Sequence, residues 1–270
     1  MTAGPIRTAI ATSMLVLCAV FTTVHAAQAA PAPDVKLPQV DTPKRVLFVG
    51  NSYLYYNDSL HNHVRRMAAA ADGSLEKALA YKSATIGGAR LAHHAIDWLI
   101  EPGRIGVKEP FELVLLQDVS SAAFSEKSRE QSAATIAELS EKIRKQGGQV
   151  ALYMTHAYVA PHKDAGPDQV PKIVEHYVQV GNRVGAMVIP VALAFDEAYR
   201  GKPGIVLHQD YDGSHPSLLG SYLAACVVYG SVYAKPCTGN AYDYFGRVSK
   251  DDAAFLQGVA DETVKRFFGR

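Results

Sequence analysis

The stretch Arg45-Val46-Leu47-Phe48-Val49-Gly50-Asn51-Ser52 decides how this chain is read. Val46 to Val49 is a short unbroken apolar run closed by Gly and Asn, the pattern of a strand buried on both faces. A serine that follows such a strand directly exposes its Oγ at the sheet edge and aims turn N–H groups at a developing oxyanion. Serine is a poor nucleophile at neutral pH and needs an adjacent imidazole to take its proton. The imidazole in turn needs an acceptor that fixes its tautomer and stabilises the imidazolium. Far downstream, Asp212-Gly213-Ser214-His215 offers both groups on one loop. Each block alone has an ordinary alternative. Ser52 would serve as a turn or N-cap residue, and His215 would sit at a helix start held by Pro216 in the first helical position.

Outward from this stretch, strands and helices alternate. Short apolar runs at Arg45–Val49, Ala78–Ser83, Leu113–Leu116, Val150–Met154 and Met187–Val191 read as strands. Helical spacing marks Leu60–Ala71, Leu91–Leu99, Ser128–Lys145, Val170–Gly185 and about Ser217–Tyr233, with a last helix after Ser249. Ser249 can cap that helix, with Asp252 in the capping-box position. Apolar strands separated by helices predict an α/β fold, a doubly wound parallel sheet of about five strands covered on both faces. Such sheets carry their sites at the carboxyl ends of the strands. Ser52, Gly87-Gly88, Gln117 and His156 all fall there.

The first 29 residues read as a signal peptide. Arg7 marks a short charged region, Thr8 to Val24 the apolar one, and Ala27-Gln28-Ala29 the cleavage site. A membrane span would need roughly 20 strongly apolar residues, and this stretch is diluted by Thr and Ser. Cys18 lies inside the apolar run and does not mark a lipid anchor. Residues 30–44, with Pro31, Pro33, Pro38 and Pro43, read as an extended linker, and 45–270 as one domain. The expectation is an exported, periplasmic or secreted protein with no stable membrane insertion after cleavage. With 27 basic and 26 acidic residues and no basic run, nucleic acid is not expected as a partner.

Taken together the blocks resemble the SGNH (GDSL-type) serine hydrolases from Arg45 to about Tyr233. Gly50-Asn51-Ser52 is similar to the first family block, with Asn in place of Asp, and Asp212 to His215 matches the last. Gly87-Gly88 resembles the second block, whose glycine N–H is an oxyanion donor in that family. The third block departs from the family pattern Gly-x-Asn-Asp. Here Leu116-Gln117-Asp118-Val119-Ser120 has no Asn and is closer to the Gln-Gly-Glu block of sugar O-acetylesterases and to a bacterial branch with Leu-Gln-x-x-Ser. The resemblance implies a flavodoxin-like three-layer α/β/α fold and ester hydrolysis through an acyl-enzyme on Ser52. It gives His215 as base and acid, Asp212 as its partner, and Ser52, Gly88 and Gln117 as the oxyanion hole. The implied substrate is a small-molecule or polysaccharide acyl ester, an O-acetyl carbohydrate above all. A non-catalytic carbohydrate-binding relative and an O-acyltransferase with the same triad stay open.

No cofactor or metal is expected. His93 and His94 are adjacent and read as surface residues, and His61 and His63 lack the i, i+4 spacing of a helical zinc pair. His156 reads as a pocket or loop histidine, and Gly181 to Gly185 lacks a phosphate-loop context. Tyr53, Tyr55 and Tyr56 form either an aromatic wall beside the nucleophile or a packed turn. Cys226 and Cys237 are expected to be free.

Overall fold

The computed structural model describes residues 1, 2, 4 and 31–270, so the signal peptide expected at residues 1–29 lies, apart from those three, outside the described residues. Five strands, β1 (Arg45–Gly50), β2 (Ala80–Thr85), β3 (Leu113–Leu116), β4 (Gln149–Tyr153) and β5 (Met187–Ile189), form one parallel sheet in the order β2-β1-β3-β4-β5. In register, Val46 lies beside Tyr81 on one side and Leu113 on the other. The helices are α1 (Ser52–Tyr55), α2 (Leu60–Ala71), α3 (Ile96–Leu99), α4 (Glu126–Lys145), α5 (Gln169–Val184), α6 (Val191–Gly201), α7 (Leu218–Tyr233) and α8 (Lys250–Phe268).

The strands alternate between two cores. Val46, Phe48, Leu115 and Tyr153 face a layer built by α2, α6, α7 and α8. Leu47, Val49, Leu116 and Leu152 face a layer built by α4 and α5. Each large apolar side chain buried in this way stabilises the fold by about 1.5–3 kcal/mol. The sheet is therefore the middle of a three-layer α/β/α sandwich. From Gly220 to Tyr233, α7 is buried on every side, as expected of a helix without a polar face. No helix among the described residues is long and apolar enough to cross a membrane.

The strand order reverses between β1 and β3: the chain goes from β1 outward to β2, then returns across β1 to β3. Doubly wound sheets open a crevice at that reversal, outside the carboxyl ends of the two strands. Ser52 and Gln117 flank it.

Several boundaries differ from the sequence reading. α6 (Val191–Gly201) lies where the sequence reading assigns no element, directly after a strand it ends at Val191. The apolar run from Met187 to Phe195 crosses the strand–helix junction without a break, so no periodicity change marks it. β2 begins two residues late because Ala78 and Leu79 donate back to the Leu75 carbonyl. The segment 91–99 is not one helix. A 3₁₀ turn at Leu91–His93 ends where His94 becomes extended, and α3 follows. The Pro-rich segment before β1 has no regular structure yet lies against the domain: Asn182 bonds both Ala32 and Asp34, and Tyr233 donates to the Pro43 carbonyl. Cys226 and Cys237 are both free and buried.

The interior holds several neutral imidazoles. His176 meets Ser132 Oγ at 3.2 Å, and His208 lies between Tyr199 Oη and the Ala157 carbonyl. Burial brings His61, His176 and His208 down to about 4 and holds His156 well below the usual histidine value. The unfolded chain, with rings near 6.5, therefore takes up protons first as pH falls. Their stabilisation is complete above about pH 6.5 and is lost between 6.5 and 4. The midpoint of urea unfolding should hold steady from pH 8 to 6.5 and then drop steeply. A midpoint unchanged down to pH 4.5 would show that these rings accept protons in the folded state.

Candidate active site

Ser52 is the first residue of α1, a single helical turn that starts immediately beyond β1. Asn51 caps it. The Asn51 Oδ1 accepts from the Tyr53 N–H at 3.2 Å, and its Nδ2 donates to the Ala89 carbonyl at 3.0 Å. The Ser52 N–H has no partner among the described residues. Gly50 is required here by close approach: a β-carbon would come within 2.5 Å of Gln117 Oε1.

The loop from Gln209 to Pro216 brings the second block to the same edge. Asp212 Oδ1 accepts from the backbone N–H of Ser214 at 2.8 Å and of His215 at 3.0 Å, which folds the loop around the carboxylate. Its Oδ2 takes the His215 Nδ1–H at 2.5 Å, and the other ring nitrogen, Nε2, receives the Ser52 hydroxyl at 2.8 Å. Partial burial pushes the Asp212 carboxyl up, but the His215 ring and the two N–H groups outweigh it and hold the acid below the usual carboxylate value. Gly213, at φ +62, packs so closely on the Val159 carbonyl that no side chain fits. The His215 ring rests on Tyr56, with centroids 4.3 Å apart and planes 11° from parallel. The His215 and Asp212 side chains are 26 % and 24 % exposed, so the site is shallow.

Of the oxyanion donors expected from the sequence, Ser52 and Gly88 have open N–H groups, and Gln117 does not fit the role. Gln117 is fully buried. Its Oε1 accepts from the Asn51 N–H at 2.9 Å, and its Nε2 donates to the Asp118 carbonyl. Both ends of the amide are engaged, the oxygen tying the turn after β1 to β3 and the nitrogen closing on the carbonyl of the next residue, because the side chain runs across the crevice floor rather than out of it. Gly88 lies at φ +68 on an exposed turn whose N–H has no partner among the described residues. Two ties hold this turn beside Ser52: Asn51 Nδ2 on the Ala89 carbonyl, and Asp118 Oδ1, which accepts from Leu91 N–H at 3.0 Å and Val119 N–H at 2.8 Å.

Other expectations sort as follows. Tyr53 is buried with its Oη 2.7 Å from Ser214 Oγ, Tyr56 is the platform under His215, and Tyr55 is exposed. His156 is buried beneath the loop and donates to the Ser214 carbonyl at 3.0 Å, stacked flat on Phe195. His93 is exposed, but His94 is buried rather than on the surface. It sits under the turn where the 3₁₀ segment ends. Among the described residues no cluster of His, Cys, Asp or Glu has the makings of a metal site.

Sequence reasoning did not find the donor role of Asn51, the tie made by Asp118, or the Tyr56 platform. Asn51 carried a signal, since its amide can accept at one end and donate at the other. Asp118 carried none, because its partners lie 27 residues away and one residue away along the chain.

No protein-family model matches the chain, and no curated protein matches it in sequence. Solved structures do match. A protein from Slackia heliotrinireducens, described as an SGNH hydrolase, is 24 % identical over 70 % of this chain and 98 % of its own, with a TM-score of 0.55. A DUF4886 family protein from Bacteroides uniformis is 20 % identical over 81 % of this chain and 93 % of its own, with a TM-score of 0.58. A catalytic mutant of an acetylxylan esterase from Geobacillus stearothermophilus is 15 % identical over 72 % and 95 %, with a TM-score of 0.53. With its 2-1-3-4-5 parallel sheet and the helices on both faces, this chain has the fold of the SGNH hydrolases.

Proposed function

We propose that the chain is an exported serine esterase that hydrolyses O-acyl, above all O-acetyl, carbohydrate esters through an acyl-Ser52 intermediate. One observation carries the reading: the unbroken line from Asp212 Oδ2 through both nitrogens of His215 to Ser52 Oγ. Export rests on the composition of residues 1–29. The acetyl-sugar substrate is supported by the likeness to acetylxylan esterases and by a shallow site that admits a bulky alcohol.

The chemistry follows from the proton positions. With Nδ1–H given to Asp212, Nε2 is free to take the Ser52 proton as Oγ attacks the ester carbonyl. The new C–O bond leaves a negative oxygen that the Ser52 and Gly88 N–H groups receive. Collapse breaks the bond to the alcohol, which leaves with the proton from Nε2. Water then attacks the acyl-enzyme, again losing its proton to His215, and the carboxylic acid departs with Ser52 restored. The Tyr56 ring face supports the imidazolium in each half-reaction.

A phosphonate ester that reacts with active serines should label Ser52 alone, and Ser52→Ala should abolish turnover of short-chain aryl esters without altering the melting temperature. Labelling at Ser120 or Ser214 instead would remove the assignment.

Asp212 has two tasks, and two substitutions separate them. Asp212→Asn keeps an oxygen for the Ser214 and His215 N–H groups, so stability should stay near wild type. It presents an amide to the ring, and kcat should fall by roughly 10–10³, less than for a fully buried acid because water reaches the site. Asp212→Ala also frees the loop and should lower the melting temperature. Added to His215→Ala, Asp212→Asn should cost almost nothing further, since members of one catalytic unit are not additive. Losses that multiply would detach Asp212 from His215.

Asn51→Asp removes the donor to the Ala89 carbonyl and sets two oxygens against each other. If the Gly88 turn depends on that bond, kcat and the rate of phosphonate labelling should both fall about tenfold or more. Rates equal to wild type would show that the turn holds its place unaided.

A further inference from the structure

A groove of about 490 Å³ opens at the Tyr55 end of α1, between the start of α2 and the loop that precedes α8. Its volume lies in the range of about 300–1,000 Å³ typical of small-ligand sites. Tyr55, Tyr244 and Phe245 supply ring faces, and Asp58, Asn62 and Arg66 supply polar groups between them.

The backbone around it is strained. Among the described residues seven non-glycine residues have positive φ; four of them line this groove, Asp58 (68°), Ser59 (68°), Tyr244 (54°) and Phe245 (57°), and a fifth, Asn57 (53°), directly precedes Asp58. Such conformations cost free energy, persist only where neighbours enforce them, and gather at binding sites. The enforcing contacts are present. Asn57 Nδ2 lies within 2.9 Å of the Pro216 and Ser217 carbonyls and 2.7 Å of Ser221 Oγ. His63 donates to the Asn57 carbonyl and accepts from Tyr242, while the Tyr244 hydroxyl donates to the Asp58 carboxylate. The strain holds Phe245 out in solvent, 72 % exposed, with the Arg66 guanidinium 4.8 Å above its ring. Arg66 has no carboxylate partner among the described residues.

The groove adjoins the catalytic edge. Ser52 and Tyr55 are the two ends of α1, and Tyr55 Oη lies 3.2 Å from where a Gly87 β-carbon would stand. Asn57 is bonded to the residues that follow His215. A ligand in the groove therefore shares a wall with the oxyanion turn.

We propose that this groove is the subsite for a sugar residue on the alcohol side of the scissile ester, a reading that rests on the esterase function above. A pyranose presents an apolar C–H face and a rim of hydroxyls. Ring faces alternating with a carboxylate, an amide and a guanidinium match that pairing, whereas an acyl chain would call for an unbroken apolar wall. Phe245 is the platform, and Asp58, Asn62 and Arg66 take the hydroxyls.

The test is binding, measured without turnover. The Ser52→Ala protein is titrated calorimetrically with xylotetraose, cellotetraose and chitotetraose. At least one should bind saturably, Phe245→Ala in the same background should weaken it about tenfold or more, and Phe245→Tyr should keep it. Phe245 is largely exposed, so melting temperatures should match and exclude misfolding. Absence of binding by all three sugars, or binding indifferent to Phe245→Ala, would overturn the subsite. Turnover of aryl esters by the intact chain is measured separately. Phe245-dependent binding in a chain without such turnover would support the groove and count against the esterase reading alone.

Discussion

The amide of Gln117 closes the place where the sheet changes direction, and the candidate site is built on that closure. β1 and β3 are hydrogen-bonded through Val49 and Leu116, and Gln117 N–H still reaches the Val49 carbonyl. Beyond that point the ladder ends, and backbone groups at the crevice floor need other partners. Gln117 supplies them: its oxygen takes the Asn51 N–H, its nitrogen the Asp118 carbonyl. A shorter side chain at 117 would not span this gap, and a β-carbon at residue 50 would collide with the one that does. Through this single amide the Ser52 turn and the end of β3 become one rigid unit. Asp118 then extends the unit to Leu91, and Asn51 to Ala89, so three separate strand ends move together.

Much of the fold was legible because its signals are local. Val46–Val49, Leu113–Leu116 and the 3.6-residue spacing of α4 are patterns within a few residues of themselves, and these elements lie within a residue or two of where the sequence puts them. Ser249 announces α8 by its own chemistry, and its Oγ does accept from Asp252 N–H. α6 was hidden because burial on one face continues from β5 into the helix with no polar interruption. The Leu91–Leu99 stretch differs for the opposite reason: its spacing suits a helix, but buried His94 is extended and breaks it in two.

At the site, residue identity was legible and direction was not. Ser52, Asp212 and His215 stand in one hydrogen-bonded line. Gln117 occupies the expected place in the sequence while its side chain runs the other way, because position after β3 says nothing about which neighbours lack a partner. The tyrosines divide similarly. Three near neighbours in the chain take three environments: Tyr53 under the loop, Tyr55 on the groove and Tyr56 against the imidazole. Successive residues of a helical turn point in different directions, so a cluster in sequence is not a wall in space.

The neutrality of Asn51 has a consequence for the field around Ser52. Asp118 already places a carboxylate on the wall that carries the Gly88 turn. A second one at residue 51 would set negative charge beside the Ser52 N–H and near the first, and at short range in a partly buried site like charges repel by several kcal/mol. The amide accepts from the Tyr53 N–H and donates to the Ala89 carbonyl with no net charge, and it does not titrate. The attachments that Asn51 makes on either side of Ser52 are therefore independent of pH.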